Sequence, residues 1–378
     1  MPLQPPPEPR GSELDPTAST QPHDESAAPP ERRAQRRADD PDIAAQLDRL
    51  IAELGGTPGA YDSRLVRELL TAGLKLIPDG RDTGELKLMT AAVKELRYAY
   101  RVFGQYRDPH KVTIFGSART PPAHPDYAAA VEFSRIMAQL GWMIITGAGG
   151  GIMHAGHLGP GRAASFGVAI RLPFETTANE VIAGDEKLIH FRYFFTRKLM
   201  FLSQAEAVAL FPGGFGTMDE AYEALTLVQT GKSSMMPIVM LEGAGGNYWK
   251  LWDQWTRQGL LERQLISPED LHLYYIASDP SDAARHIARF YRNFHSSRYV
   301  RDDFVIRLKA PLRPGDIKAL ADEFAVLIKT GTIVQRGPLA EETDAPNLPR
   351  LVFQHTRHKF GLIRRLIDRI NDLEPAGN

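Results

Sequence analysis

From Lys111 onward, short apolar runs alternate with stretches whose apolar residues recur at helical spacing. Val112 to Phe115, Trp142 to Thr146, Phe166 to Ile170, Ala205 to Phe211, Pro237 to Leu241 and Leu273 to Ile276 read as buried strands. Tyr127 to Leu140, Tyr193 to Ser203, the stretch after Glu220, Tyr248 to Leu260 and Asp282 to Phe294 read as helices. Strands that alternate with helices predict an α/β fold built on a doubly wound parallel sheet. Such sheets bind ligands at the carboxyl ends of their strands. The loops after Phe115, Thr146 and Phe211 are therefore expected to converge.

The flanks read differently. Residues 1–40 are rich in Pro, Ala, Ser, Arg and Asp and hold almost no large apolar group, which predicts a disordered tail. Its basic cluster, Arg32 to Arg37, is answered by Asp39, Asp40 and Asp42 and reads as solvated. Pro41 suits a first helical position. Ile43, Leu47, Leu50 and Ile51 then repeat at helical spacing, and further helices fit Leu65 to Leu76 and Glu85 to about Tyr106. Residues 41–110 are thus expected to form a helical N-terminal layer, and 111–300 the α/β domain. After Asp302, strands at Phe304 to Leu308, Thr332 to Gln335 and Leu351 to Phe353 accompany helices at Ile317 to Ile328 and His358 to Ile370. Residues 301–378 are expected to form a small α+β appendage.

Composition removes several classes. The 378 residues contain no cysteine, which excludes disulfides, thiolate zinc sites and thiol catalysis. A net charge of -1 offers no argument for nucleic acid or an anionic membrane as partner. No apolar run reaches the roughly 18 residues of a membrane-spanning helix, and the N-terminus lacks a signal-peptide core. A cytoplasmic protein is the expectation.

The most telling chemistry lies in Pro212-Gly213-Gly214-Phe215-Gly216-Thr217-Met218-Asp219-Glu220, between the strand ending at Phe211 and the helix that follows. Small residues let a ligand approach the backbone, and free amides at a helix start attract an anion. Glu220 is expected on the first helical turn, beside whatever those amides hold. The structural alternative is a capping box in which Thr217 caps the helix and Glu220 reaches back to it. Three glycines in four positions go beyond what a cap requires. Two more glycine-bearing loops follow strands: Phe115-Gly116-Ser117-Ala118-Arg119-Thr120, and Gly147-Ala148-Gly149-Gly150-Gly151. Together they favour a nucleotide or sugar phosphate.

Other readings fail on spacing. The dinucleotide fingerprint from Gly147 would need glycine where Ile152 stands, and Arg171 and Pro173 follow the next strand where a ribose-binding carboxylate belongs. Gly231-Lys232-Ser233 has the tail of a P-loop, but Thr226 occupies the place of its first glycine. Arg197 and Lys198 interrupt an otherwise apolar helix. They read either as a solvated edge or as a cationic grip on phosphate or carboxylate. A Schiff base on Lys198 has no other feature in support. His154, His157 and His190 lack a metal-ligand spacing, and no metal is expected.

Thr196-Arg197-Lys198-Leu199-Met200 with Pro212-Gly213-Gly214-x-Gly216-Thr217-x-x-Glu220 resembles the LOG (Lonely Guy) family. These are Rossmann-like nucleoside 5′-monophosphate phosphoribohydrolases, often mislabelled lysine decarboxylases. The first run departs by one place from R-K-x-x-M. The 23-residue separation of Arg197 and Glu220 looks like the family's, and the resemblance spans roughly Lys111 to Phe294. It implies hydrolysis of AMP, or of a cytokinin-type riboside monophosphate, to free base and ribose 5-phosphate. It also implies a catalytic pair of Glu220 and Arg197, no cofactor, and a homodimer or larger homo-oligomer. Gly213, Gly214, Gly216 and Thr217 would cradle the 5′-phosphate, with Ser117, Gly149, Gly150, Gly151 and Lys198 assisting. His154 stands where longer members usually carry an acidic residue, which bears on base preference. The alternatives are a nucleotide or molybdenum-cofactor carrier without turnover, from the same superfamily, and a regulatory nucleotide sensor.

Overall fold

The structure is a computed structural model that describes residues 40–171 and 178–376. Apart from Asp40, the segment expected to be a disordered tail lies outside the described residues. The chain divides into two compact units, Met1–Leu86 and Lys87–Asn378.

In the first unit lie α1 (Pro41–Glu53), α2 (Tyr61–Lys75) and the start of α3 (Thr83–Phe103). The Asp40 side chain accepts the Asp42 amide at 2.9 Å and caps α1, with Pro41 as the first helical residue. Arg67 in α2 pairs with Asp48 in α1 at 2.8 Å. Neither helix contains a buried residue.

In the second unit, α3 leads to β1 (Lys111–Phe115), α4 (Pro125–Gln139), β2 (Met143–Thr146), α5 (Ile152–Leu158), β3 (Ser165–Ile170) and β4 (Leu188–Phe191). Then come α6 (Phe194–Ser203), β5 (Ala207–Leu210), α7 (Phe215–Gln229), β6 (Ile238–Met240), α8 (Tyr248–Trp255), β7 (Tyr274–Ile276) and α9 (Pro280–Phe290). The seven strands form one parallel sheet of order β4-β3-β2-β1-β5-β6-β7. This is the expected doubly wound α/β fold. Its strand order reverses between β1 and β5, where ligands of such sheets bind.

Both faces of the sheet are buried, which is why its strands read as continuous apolar runs. Val112 and Ile114 of β1 pack with α4 and α9 on one face, beside Phe133, Met137 and Ile287. Phe115, Val208 and Leu210 point to the opposite face, with Phe103 of α3 and Phe201 of α6. Each such buried side chain contributes on the order of 1.5–3 kcal/mol.

The chain continues through β8 (Phe294–Val300), β9 (Asp303–Leu308), α10 (Pro314–Glu323), β10 (Ile328–Arg336), β11 (Arg350–His355) and α11 (Phe360–Asp372). Here the four strands make an antiparallel sheet of order β10-β11-β9-β8. In α11, Phe360, Ile363, Leu366, Ile367 and Ile370 recur at helical spacing and are buried. They join a core that also holds Phe294, Phe304 and Phe353 of the second sheet and Val208 of the first. Buried Glu342 accepts from Arg307 at 2.6 Å and from Arg350 at 3.1 Å, pinning the loop after β10 to β9 and β11.

The structure adds three elements that the pattern did not show. Residues 152–158 are helical, 188–191 form a strand, and the helix read as running to Phe294 ends at Phe290 so that Phe294 opens β8. No helix among the described residues is long and apolar enough to cross a membrane.

Candidate active site

The loops after β1, β2 and β5 do converge. The Ser117 amide donates to the Pro212 carbonyl at 3.0 Å, and the Ile152 amide to the Ser117 carbonyl at 3.0 Å. Two glycines make this approach possible. Gly151 has φ +59°, and a side chain there would overlap the Ser117 carbonyl. A side chain at Gly213 would overlap that of Thr217 and stand 3.1 Å from the Ser117 amide nitrogen. Ala148, buried against Ala169 and Ile182 in the loop after β2, holds a left-handed φ of 63°, a strained conformation for a residue with a Cβ.

A cavity of about 820 Å³ opens at this junction. Of the residues singled out from the sequence, Ser117, Arg197, Gly213, Gly214, Gly216, Thr217 and Glu220 line it. Gly149, Gly150 and Gly151 do not; they pack behind Ser117 and Ala118, where the Gly149 carbonyl accepts from Asn179 at 3.1 Å. Lys198 does not line it either. Its ammonium pairs with Asp219 at 2.6 Å and Glu223 at 2.7 Å. Nor does His154, whose Nδ1 shares a hydrogen bond with the Tyr127 hydroxyl at 2.7 Å.

Helix α7 begins earlier than its sequence suggests. Gly214 is its N-cap and Phe215 its first residue, so Thr217 is third and Glu220 lies on the second turn. The capping-box reading therefore fails: the N-cap has no side-chain hydrogen bond. The first-turn amides of Phe215, Gly216 and Thr217 have no acceptor within the helix, as at any helix start. They sit at the positive end of a 15-residue helix and suit an anion.

Glu220 is 8% exposed. Its Oε2 is buried, 3.8 Å from Lys198 Nζ, and has no hydrogen-bond partner among the described residues. Burial raises its pKa from 4.5 to about 7, against the pull of Lys198 and Arg197. Lys198 offsets that burial only in part because its charge is shared with Asp219 and Glu223. The result is a carboxyl group that gains and loses its proton near neutral pH.

Arg197 is held on three sides. Its Nε donates to the Val168 carbonyl of β3 at 2.8 Å, and its guanidinium lies 5.0 Å from the Phe201 ring centroid. The third side is Gly147, where any side chain would overlap the guanidinium. One turn of α6 is fixed from outside. Glu95 of α3 accepts the Arg192 amide at 2.8 Å and the Thr196 hydroxyl at 2.7 Å.

Tyr248 of α8 was not legible as a site residue. It lines the cavity, and its hydroxyl donates to the Gly213 carbonyl at 2.7 Å. Glu242, just after β6, accepts the Tyr248 amide at 2.9 Å and so seats the start of α8. Phe194 and Phe215, the first residues of α6 and α7, also line the cavity and are 60% and 97% exposed. Helix-start amides, a desolvated carboxyl and a fixed guanidinium thus meet at the switch point of a parallel α/β sheet.

Residues 150–287 match the protein family described as "Possible lysine decarboxylase". It is the family that the sequence resemblance indicates, and it includes both Arg197 and Glu220. No curated protein matches the chain. Among solved structures, the chain is similar to TM1055, a structural-genomics target, at 21% identity over 48% of this chain and 99% of that one, with a TM-score of 0.35. It is also similar to the Moco carrier protein from Chlamydomonas reinhardtii, at 19% identity over 48% and 96%, TM-score 0.34. The molybdenum cofactor binding protein from the phototrophic bacterium Rippkaea orientalis matches at 22% identity over 48% and 96%, TM-score 0.32.

Proposed function

We propose that this chain hydrolyses the N-glycosidic bond of a nucleoside 5′-monophosphate, such as AMP or a cytokinin-type riboside monophosphate, giving free base and ribose 5-phosphate. The observation that carries the reading is Glu220: its buried Oε2 has no hydrogen-bond partner among the described residues, in a cavity that also presents helix-start amides and Arg197. A buried structural carboxylate oxygen would accept a hydrogen bond.

In this reading the 5′-phosphate lies on the amides of Phe215, Gly216 and Thr217, with Ser117 beside them. Cleavage builds positive charge at C1′, as in glycoside hydrolysis. Ionised Glu220 stabilises that charge and takes a proton from the attacking water. The C1′–N bond breaks with its electron pair going to the base, the water oxygen bonds to C1′, and the proton taken by Glu220 passes on through solvent to the departing base, which restores the carboxylate. Arg197, fixed by Val168 and Gly147, holds the phosphate or ribose in register. Lys198, paired with two other carboxylates, acts on the charge of Glu220 rather than on the phosphate. Gly149, Gly150 and Gly151 support the cradle from behind.

The exposed aromatic rings at the cavity mouth favour a homo-oligomer that covers them. Light scattering of the purified chain checks this, and a monomer at micromolar concentration would contradict it. The function itself is tested by incubating the protein with a panel of nucleoside monophosphates and following free base. Binding without base release over hours would favour the carrier alternative.

A further inference from the structure

A second cavity, of about 630 Å³, lies at the opposite, amino ends of β1 and β5. Lys111, the first residue of β1, lines it and is only 4% exposed. Its ammonium donates to the Pro109 carbonyl at 2.8 Å. The nearest carboxylate, Glu206, is occupied elsewhere: it accepts the Lys111 backbone amide at 2.8 Å and stands 3.8 Å from His110. Glu206 and Asp108 favour the charged lysine, but burial outweighs them and lowers its pKa. The fold thus buries a cation without fully compensating it, which is costly unless something else does so.

Arg107 also lines this cavity, is exposed, and makes no ion pair among the described residues. The hydroxyls of Ser203 and Ser234 lie on the polar wall, and Phe103, Met235 and Met236 supply an apolar one. We propose that this cavity is a second ligand site, which takes a small anion carried on a flat apolar body: an aryl or heteroaryl phosphate or carboxylate. The anionic group lies between Arg107 and Lys111, and the ring lies against Phe103 and the two methionines.

The place of the cavity gives it leverage on the first. Three of the elements that meet it, β1, β5 and α6, also lead to or carry a residue of the candidate active site. β1 runs from Lys111 to the Ser117 loop, and β5 runs on to Gly213. Helix α6 ends at Ser203 and carries Arg197. The Thr113 hydroxyl of β1 donates to the Phe201 carbonyl of α6 at 2.8 Å, joining two of these elements. A ligand here would act as a regulator.

The test is calorimetric titration of the full chain with phenyl phosphate, benzoate and inorganic phosphate, each with AMP at saturating concentration. We expect phenyl phosphate or benzoate to bind despite AMP, and the tighter of the two identifies the anionic group. Arg107→Ala should weaken that binding at least tenfold, and inorganic phosphate should bind at least tenfold more weakly than phenyl phosphate. Arg107 is exposed, so its variant should fold; Lys111→Met serves as a second variant. No binding, displacement by AMP, or binding that Arg107→Ala leaves unchanged would overturn the proposal. None of these readouts requires AMP to be hydrolysed, so the outcome is independent of the reading above.

Discussion

Glu220 has a cost as well as a role. Its carboxyl holds a proton up to about pH 7 in the folded chain, against 4.5 when unfolded. The folded state therefore binds that proton more tightly. The stability this contributes is complete below pH 4.5 and is lost as pH rises through 7. The loss is on the order of 3 kcal/mol. Glu220→Gln should accordingly be more stable than the parent at pH 8, with a melting temperature several degrees higher, and closer to it at pH 5. Parallel melts at the two pH values check this. A variant that is less stable at pH 8 would show that the attraction of Lys198 and Arg197 outweighs the burial of the carboxylate. The same titration sets the activity profile: if the ionised form works, kcat should rise with pH and level off above about 7. Glu220 was legible as a candidate from the glycine motif before it, and Arg197 only through the family resemblance. Tyr248 was not, because it acts through a backbone carbonyl 35 positions away, and one sequence does not show which tyrosine folds back there.

At the scale of elements, glycine marks where segments must touch. Gly147→Ala would push the Arg197 guanidinium from its seat against β3. A displacement of about 1 Å at a reacting group costs on the order of 10²-fold, so kcat/KM should fall about that much; an unchanged value would mean that Arg197 is not needed where it stands. Tyr248→Phe removes the donor that holds the Gly213 carbonyl. One neutral hydrogen bond is worth about 0.5–1.5 kcal/mol, so KM should rise about 2- to 10-fold with kcat within twofold. A fall in kcat alone would place Tyr248 in the chemistry instead. The parallel sheet was legible because strands buried on both faces read as apolar runs. Helix α7 was misplaced at its start because Phe215 and Gly216 look like loop, and only the cavity explains why a helix begins on them. β4 and β8 were missed because His190 and the polar run His295 to Arg298 break the apolar pattern in strands that have one face less covered.

For the molecule as a whole, the proposed phosphate cradle would set what the chain accepts. Two charge-assisted hydrogen bonds lost with the 5′-phosphate cost about 3–6 kcal/mol, so adenosine should be hydrolysed roughly 10²- to 10⁴-fold less efficiently than AMP. Equal rates would contradict the assignment of the Gly213 to Thr217 loop. The C-terminal sheet shares its core with the parallel sheet through α11, which the appearance of a separate tail end in the sequence did not show. The central claim is that a desolvated carboxyl in this cavity breaks an N-glycosidic bond. The most direct measurement follows free base and ribose 5-phosphate from AMP in the parent chain and in Glu220→Gln, with AMP affinity measured for both. The account expects the two products in equal amounts from the parent, turnover lower by about 10²- to 10⁴-fold in the variant, and AMP affinity largely retained. Equal turnover in the two proteins, or AMP bound by the parent with no base released, would contradict it.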